Sequence, residues 1–228
     1  MNKIYLVTGT STGIGNATAK ILLNKKYKVI GLSRKRTIFE KNYKHIFFDA
    51  SLKNLETEIN KKIVIKENID GLVNNLGSNI PQSFVEINEK SFDDVMNINL
   101  KFPLCLTKKL NNKRKKNASI VNISSFSAVS GGPVSSHYAI AKSGVETLTR
   151  NLAIFFKNKK IRVNAVSPGL IKTRLAKFPK KHPYFNRILL NRADKKEEIA
   201  NLICFLLSQE ASYINGQTIN ADGGMFLK

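Results

Sequence analysis

Residues 4–15 read Ile4-Tyr5-Leu6-Val7-Thr8-Gly9-Thr10-Ser11-Thr12-Gly13-Ile14-Gly15, and this stretch decides the fold. A short apolar run leads into a glycine-rich turn, and a helical pattern then continues from Asn16 to Leu23. Gly9 permits a tight turn, Gly13 lets the backbone approach a pyrophosphate, and Gly15 lets the helix pack on the strand. The free N–H groups of the helix would then face the phosphates. The stretch therefore predicts a dinucleotide-binding site, and the alternative is a purely structural loop.

Apolar runs and helical patterns alternate along the rest of the chain. Further strands are predicted at 28–33, 45–48, 69–77, 119–123, 161–166 and 217–220, and helices at 52–65, 91–110, 143–156 and 195–207. Alternation of this kind is typical of a parallel sheet with right-handed crossovers. We therefore expect an α/β fold: one Rossmann-type doubly wound parallel sheet of about seven strands, with helices on both faces, forming a single domain over residues 1–228.

The composition excludes several classes of protein. The chain has 228 residues and a net charge of +22, but its basic residues are spread along the sequence without a nucleic-acid-binding motif. We therefore expect no nucleic-acid partner, and a field that favours anionic ligands. No apolar stretch reaches the roughly 18 residues of a membrane span, so no membrane association is expected. Cys105 and Cys204 lie in apolar helical patterns and indicate a cytoplasmic protein, and the three histidines show no metal-ligand spacing.

The end of the second predicted strand bears on the choice of cofactor. A site that prefers NAD usually carries an acidic residue there, which holds the ribose 2′-hydroxyl. This chain has Ser33 followed by Arg34. A planar guanidinium group can bind a 2′-phosphate in a bidentate manner. The sequence therefore favours NADP(H), with NAD(H) as the alternative cofactor.

The candidate chemistry lies between residues 99 and 142. Tyr138 and Lys142 are spaced to share one face of a helix. A neighbouring ammonium group lowers the pKa of a phenol from its reference value of about 10, and such a tyrosine can exchange a proton with a carbonyl oxygen. Ser125 follows the strand 119–123, at the sheet edge where open α/β folds place ligands. Asn99 lies in mid-helix, where asparagine is unfavourable, and a kink with a water-bound carbonyl is one reason for it.

Taken together, these elements resemble the short-chain dehydrogenase/reductase family over nearly the whole chain. The matching elements are Thr8-Gly9 to Gly15, Asp49, Asn74-Asn75-Leu76-Gly77, Asn99, Ser125, Tyr138 with Lys142, Pro168-Gly169 to Thr173, and Asn215-Gly216-Gln217 to Asp222-Gly223-Gly224. The 3-oxoacyl-acyl-carrier-protein reductases are the most similar subgroup. Leu76 departs from the alanine usual in this family. Thr12 stands where NADP-dependent members often carry arginine or lysine.

The resemblance implies a mechanism and a set of binding residues. Tyr138 would be the general acid in carbonyl reduction, Lys142 would lower its pKa and bind the nicotinamide ribose, and Ser125 would hold the substrate oxygen. Asn99 would hold a water that relays protons from Lys142 to solvent. The resemblance and the residue patterns together predict a set of cofactor-binding residues. These are Gly9, Ser11, Thr12, Gly13, Ile14, Gly15, Ser33, Arg34, Asp49, Ala50, Asn75, Gly77, Tyr138, Lys142, Pro168, Gly169, Ile171 and Thr173.

The segment 170–193 is predicted to form a substrate lid. It is basic and rich in aromatic residues, which favours an anionic substrate. A 3-oxoacyl thioester on an acidic carrier protein and a modified sugar both satisfy this condition. The alternatives are an NAD(H)-dependent sugar or alcohol dehydrogenase, and a nucleotide-binding protein without enzymatic activity. The family resemblance implies a homotetramer or a homodimer, formed through the helices that carry Asn99 and Tyr138.

Overall fold

A computed structural model describes residues 3–52, 54–132, 134–171 and 184–227 of the chain. Within these ranges seven strands form one parallel sheet in the order β3-β2-β1-β4-β5-β6-β7. The strands are β1 (Ile4–Thr8), β2 (Lys28–Ser33), β3 (Tyr43–Phe47), β4 (Ile69–Asn74), β5 (Arg114–Ile123), β6 (Arg162–Pro168) and β7 (Thr218–Ala221). The chain order reverses between β1 and β4, which is the switch point at which doubly wound sheets bind ligands. The predicted fold class is confirmed.

Helices cover both faces of the sheet. They are α1 (Gly13–Asn24), α2 (Leu55–Lys62), α3 (Glu89–Met96), α4 (Phe102–Lys109), α5 (Ser127–Ser130), α6 (Ser136–Phe155) and α7 (Lys196–Leu207). Apolar side chains of α2, α4 and α6 form one buried cluster with one face of the strands, and those of α1 and α7 form a second cluster with the other face. The alternation of strand and helix in the sequence thus becomes a three-layer structure with two cores.

The strands read as continuous apolar runs because the sheet is covered on both sides. In β1, Leu6 packs into the first cluster, while Tyr5 and Val7 pack into the second. Parallel sheets of this kind bury both faces, so their strands lack the polar alternation of a half-exposed sheet. Both cysteines are buried, as the sequence predicts. Among the described residues, no helix has the length and apolar character that crossing a bilayer requires.

Several elements differ from their predicted bounds, three of them most strongly. The predicted helix 91–110 is divided into α3, a π-helical turn at Asn97–Lys101, and α4. Strand β5 begins at Arg114, five residues earlier than predicted, because Arg114 pairs with Ile69 across an irregularity in the register. The predicted helix 143–156 begins earlier, at Ser136, as α6. It therefore includes Tyr138, as the predicted stacking of Tyr138 and Lys142 requires.

Candidate active site

The glycine turn joins the carboxyl end of β1 to α1. Gly9 and Gly13 have φ angles of +74° and +63°, which only glycine adopts without strain. A Cβ atom on Gly9 would lie 2.6 Å from the side-chain nitrogen of Asn75, so only a glycine lets the turn lie this close to Asn75. A Cβ atom on Gly13 would have no neighbour within 4 Å, and the Thr12 side chain does not cap the helix. The N–H groups at the start of α1 therefore face open space, as a phosphate site requires.

Strand β4 holds this turn in place through Thr8, which is fully buried. The Thr8 hydroxyl accepts hydrogen bonds of 2.9 Å from the backbone N–H groups of Asn75 and Leu76. The Asn75 side chain donates a 2.8 Å hydrogen bond to the Thr8 carbonyl. Asn75 thus shapes the turn, and its contact with an adenosine ribose stays a prediction. The Asn74 side chain links two strands of the sheet by donating a 2.8 Å hydrogen bond to the side-chain oxygen of Asn122.

The two residues predicted to select the cofactor lie in different environments. Ser33 is only 2% exposed. Its hydroxyl accepts a hydrogen bond from Thr10 and donates one of 2.8 Å to the carbonyl of Lys35, and it also lies 3.1 Å from a ring nitrogen of His45. The Ser33 hydroxyl therefore already has neighbours within the protein, and its contact with a cofactor stays a prediction. Arg34 is exposed, so its guanidinium group is available for a 2′-phosphate.

The ends of β3 and β4 carry the other residues predicted to bind the adenosine half. Asp49 is partly buried, and one of its carboxylate oxygens accepts hydrogen bonds from the backbone and the hydroxyl of Ser51, at 3.1 and 2.9 Å. Ala50 beside it is buried, and Gly77 is exposed. All three lie at the carboxyl edge of the sheet, where the glycine turn also lies. Their contacts with a cofactor remain predictions.

Three predicted catalytic side chains converge at the carboxyl end of β5. Ser125 is 8% exposed and its hydroxyl contacts that of Ser127 at 3.3 Å. Tyr138, in the first turn of α6, directs its phenol toward Ser125, and the two hydroxyls form a hydrogen bond that acts on the pKa of the phenol. Lys142 is 3% exposed, donates a 2.8 Å hydrogen bond to the carbonyl of Ile123, and lies 5.4 Å from the centre of the Tyr138 ring. Helical spacing and the strand end thus bring the three groups together.

The pKa of Tyr138 shifts in the direction opposite to the lowering that the sequence predicts. Burial raises the pKa of Tyr138 to about 12, and the hydrogen bond with Ser125 lowers it by less. Burial also lowers the pKa of Lys142 to about 8. The ammonium group binds the Ile123 carbonyl and lies over the ring face instead of beside the hydroxyl, so desolvation outweighs its attraction. The phenol is consequently protonated at neutral pH, which is the state that a proton donor needs.

Asn99 lies in the π-helical turn, a feature that often marks functional sites. The amide N–H of Phe102 bonds to the carbonyl of Asn97, five residues back. The side-chain nitrogen of Asn99 donates to the carbonyls of Ser78 and Val95, at 2.7 and 2.9 Å. Asn99 therefore has a structural role, because its side chain ties the widened helical turn to the loop after β4.

The oxygen of the Asn99 side chain faces the active site. It is buried and has no hydrogen-bond partner among the described residues. A Cβ atom added to Gly77 would lie 2.7 Å from this oxygen and 3.4 Å from the Lys142 nitrogen. The acceptor and the ammonium group thus border one small space, which Gly77 leaves open. The space suits a water bonded to both groups, and the predicted proton relay stays a prediction.

The carboxyl end of β6 supplies the remaining predicted residues. Pro168 ends the strand, and the amide of Gly169 donates to Ala221 in β7 at 3.0 Å. Ile171 is partly buried and forms an isolated parallel bridge with Asp194. Thr173 and most of the predicted lid lie outside the described residues. Pro168, Gly169 and Ile171 therefore border the site from the side of β6.

Sequence reasoning missed two buried ionisable residues near this edge. Asp194 is 9% exposed, and burial is the main cause that raises its pKa to about 6. His137, directly before Tyr138, is fully buried, and desolvation lowers its pKa. Both environments arise from packing between elements distant in sequence, so no local pattern could have indicated them.

An aromatic cluster beside Ser125 was also missed. The rings of Phe126, Tyr184 and Phe226 lie 5.7–6.2 Å apart and come from the segment after β5, the predicted lid 170–193 and the C-terminal tail. The Tyr184 ring packs edge-on against Phe126, and all three rings are partly exposed. They form an apolar wall adjoining the catalytic groups.

The described residues fit a nicotinamide dinucleotide in three respects. The N–H groups at the start of α1 face open space beside Gly13, the guanidinium group of Arg34 is exposed at the end of β2, and Tyr138 and Lys142 lie further along the same sheet edge. Phosphates, an adenosine 2′-phosphate and a nicotinamide ribose would each meet groups of matching chemistry. The arrangement can bind a dinucleotide and present a proton donor to a carbonyl oxygen.

Comparison with known proteins agrees with this arrangement. A family model described as enoyl-(acyl carrier protein) reductase matches residues 9–226. The 3-oxoacyl-acyl-carrier-protein reductase of Thermotoga maritima is 34% identical over 99% of this chain and 98% of its own length. A short chain dehydrogenase family protein of Francisella tularensis superposes with a TM-score of 0.90 at 31% identity, covering 99% of both chains. A putative 2-deoxy-d-gluconate 3-dehydrogenase of Agrobacterium tumefaciens with bound NADP gives 0.87 at 30% identity, covering 98% of this chain and 96% of the other.

Proposed function

The chain belongs to the short-chain dehydrogenase/reductase family and is an oxidoreductase, and on this basis we propose that it interconverts a ketone and a secondary alcohol with NADP(H). The observation that carries the proposal is the convergence of Ser125, Tyr138 and Lys142 at the carboxyl end of β5. Asn99 contributes an unpaired acceptor to the same space. A nucleotide-binding protein without a reaction would not need these groups together.

In the direction of reduction, Tyr138 donates its phenolic proton to the carbonyl oxygen as negative charge develops there. Ser125 donates a hydrogen bond to the same oxygen and holds it at the phenol. The reduced nicotinamide supplies the hydride when it is bound. In the direction of oxidation the phenol acts through its conjugate base, and the raised pKa of Tyr138 keeps the phenol in its protonated form at neutral pH, as reduction requires.

After transfer, the phenol must regain a proton. Lys142 lies over the Tyr138 ring and has a pKa of about 8, so it can lose and regain a proton near neutral pH. Asn99 offers its free side-chain oxygen beside Lys142, next to the exposed Gly77. We propose that a water held between Asn99 and Lys142 connects the buried site to solvent.

For cofactor binding we assign the pyrophosphate to the glycine turn and the 2′-phosphate to Arg34. The exposed guanidinium group supports this assignment, and the NADP-bound relative is consistent with it. The test is the dissociation constant for NADPH and for NADH, measured by quenching of protein fluorescence in wild type and in Arg34→Ala. We expect about a tenfold loss of NADPH affinity, since hydrogen bonds to charged groups are worth about 1.5–3 kcal/mol, and little change for NADH. Lys20→Ala, a lysine exposed on α1, is the control.

A tighter complex with NADH than with NADPH in the wild type would overturn the cofactor assignment. An equal loss for both cofactors in Arg34→Ala would show that Arg34 shapes the turn and does not read the 2′-phosphate. In that case NAD(H) would become the better candidate, while the reductase chemistry would stand.

The substrate we propose is anionic, and a 3-oxoacyl thioester carried on an acidic protein is the first candidate. The similarity to reductases of that name supports it, as does the net charge of +22. The partly exposed wall of Phe126, Tyr184 and Phe226 offers an apolar surface for a chain next to Ser125. A modified sugar is the second candidate, which the Agrobacterium relative favours by its description.

The experiment is a comparison of NADPH oxidation with an acetoacetyl thioester on a carrier protein, a keto-sugar acid and a neutral ketone. We expect the highest kcat/KM for the carrier-bound thioester, with a decrease as salt rises because screening weakens long-range attraction. A preference for the neutral ketone that is independent of salt would contradict the anionic substrate. Absence of turnover with every carbonyl compound would contradict the enzyme proposal itself.

We also propose that the protein assembles through the outer surfaces of α4 and α6. Leu104 and Phe155 are 44% and 65% exposed and border a cavity of about 250 Å³ that Leu148 and Leu152 also line. Phe102 and Leu106, which could have faced outward, lie in the core. A face of this kind suits a second copy of the chain, as a homodimer or a homotetramer. Light scattering should show an oligomer for the wild type and a smaller species for Phe155→Glu; a monomeric wild type would contradict this.

A further inference from the structure

The edge of the sheet opposite the active site collects basic residues from distant parts of the chain. All strands are parallel, so the segments that enter them lie at one edge. Five such segments lead into β2, β3, β4, β5 and β6, and we call them the amino-edge turns. They are residues 25–28, 41–44, 61–66, 113–116 and 157–160. Together they contain fourteen lysines, one arginine and no acidic residue.

The acidic residues nearest to these turns neutralise only a small part of this charge. Glu58 pairs with Lys62 at 2.6 Å, and Asp70 pairs with Lys115 at 2.8 Å. Glu67 lies next to the turn that enters β4. Most lysines of the amino-edge turns are therefore left without an ion pair among the described residues. Their side chains are largely exposed.

Contacts show that the turns form one continuous surface. The pKa of Glu67 is lowered, first by a hydrogen bond to its own backbone and further by Lys44 and Lys28, so lysines from two different turns face the same carboxylate. Lys113 donates a 3.4 Å hydrogen bond to the carbonyl of Lys66, which links the next two turns. The basic residues are spread along the sequence, but the fold gathers them.

The dimensions of this surface match a nucleic-acid backbone. Between β3 and β6 there are five strand spacings of about 4.8 Å, which gives a length of about 24 Å. A duplex carries one negative charge per about 1.7 Å of axis, so about fourteen phosphate charges lie along that length. The amino-edge turns contain fourteen lysines over the same distance, whereas Arg114 is buried and does not contribute to the surface. Lysines act as flexible point charges, and they suit contact with phosphates without reading a base sequence.

We propose that the amino-edge turns bind the phosphate backbone of nucleic acid without sequence specificity. An anionic membrane fits less well, because among the described residues of these turns Val64, 60% exposed, is the only large apolar side chain that could enter a headgroup layer. An acidic carrier protein fits less well too, since a substrate delivered there would be at the wrong edge for Tyr138. The sequence-based expectation of no nucleic-acid partner depended on the lack of a focusing motif, and the fold supplies the focus. The inference does not depend on the proposed reaction.

The test compares two charge-reversal variants of the full chain that change the net charge equally. The edge variant carries K28E, K44E, K66E and K116E. The control variant carries K20E, K90E, K101E and K195E. Binding of a fluorescent 20-base-pair duplex of arbitrary sequence is followed by anisotropy over a series of salt concentrations, and circular dichroism verifies that both variants are folded.

We expect the wild type to bind the duplex with an affinity that falls linearly with the logarithm of salt concentration. The edge variant should bind at least about tenfold more weakly and show a shallower salt slope, while the control variant should stay within about threefold of the wild type. Equal losses in both variants would overturn the proposal, because they would show a diffuse effect of net charge. Binding to phosphatidylserine vesicles without binding to the duplex would overturn it as well.

Discussion

Lys142 should destabilise the folded protein, because its ammonium group is buried and has no carboxylate partner among the residues that the structure describes. Its pKa is about 8 in the folded chain, against a reference value of 10.5. Because folding lowers this pKa, the unfolded chain binds more protons between the two values, and stability rises with pH across that interval. Below about pH 8 the folded state carries the full cost. At 1.36 kcal/mol for each tenfold change this amounts to about 3 kcal/mol at pH 7.

Lys142→Met removes the charge and keeps most of the side-chain volume. It also removes the 2.8 Å hydrogen bond to the Ile123 carbonyl, which costs about 1 kcal/mol. We therefore expect the variant to be more stable than wild type by about 2 kcal/mol at pH 7. At about pH 10.5 the difference should vanish or reverse, since the wild-type lysine is then neutral in the folded state.

The assay is urea unfolding of both proteins at pH 7 and at pH 10.5, with the variant-minus-wild-type difference compared between the two pH values. Lys20→Met, an exposed lysine on α1, is the control and should show no difference at either pH. A Lys142→Met variant that is less stable than wild type by the same amount at both pH values would refute the reasoning. It would show that the ammonium group is not desolvated.

Three further predictions concern the surroundings of the site. Gly77→Ala places a Cβ atom 2.7 Å from the Asn99 side-chain oxygen, so we expect Asn99 to be displaced and kcat to fall by about 10²-fold. Circular dichroism should show that the fold is intact, and an unchanged kcat would contradict this prediction. Thr8→Val leaves two half-buried N–H groups after β4 without their acceptor and should cost about 1–3 kcal/mol in urea unfolding, and a neutral effect would remove Thr8 from its supporting role. The pKa of Asp194 is raised to about 6, so its ionisation opposes folding above that value; Asp194→Asn should stabilise the protein at pH 7 but not at pH 4, and equal effects at both would argue against it.

Local sequence patterns were sufficient for the architecture. The apolar run 4–8 and the glycines after it became β1 and the turn into α1, because the conformation that they need is local. The alternation of strands and helices predicted the parallel sheet, since buried parallel strands are continuous apolar runs. The helical spacing of Tyr138 and Lys142 placed both on one face of α6 once the helix began at Ser136.

Patterns were insufficient where several elements determine an environment. The π-helical turn at Asn97–Lys101 adds one residue to a helical repeat, and the periodicity of 91–110 does not reveal it. The pKa of Tyr138 was predicted in the wrong direction because the extent of its burial depends on the packing around α6. Ser33 has a sequence position suited to a ligand but a hydroxyl occupied by its neighbours. Each of these features depends on contacts between residues far apart in the chain.

The charge distribution shows the same limit on a larger scale. In the sequence the basic residues of the amino-edge turns are separated by apolar strands and helices, and no window is long enough to contain them together. Only the parallel order of the strands brings their starting points to one edge. A count of charges therefore predicted an electropositive protein but could not predict that the amino-edge turns form one basic surface.

The central claim is that the Tyr138 phenol passes the proton to the substrate oxygen. The direct test is Tyr138→Phe, which removes one hydroxyl and retains the ring beside Lys142. We expect kcat for carbonyl reduction to fall by about 10²–10⁴-fold, while the dissociation constant for NADPH changes by less than about threefold. A Tyr138→Phe enzyme that retains the wild-type kcat would contradict the account.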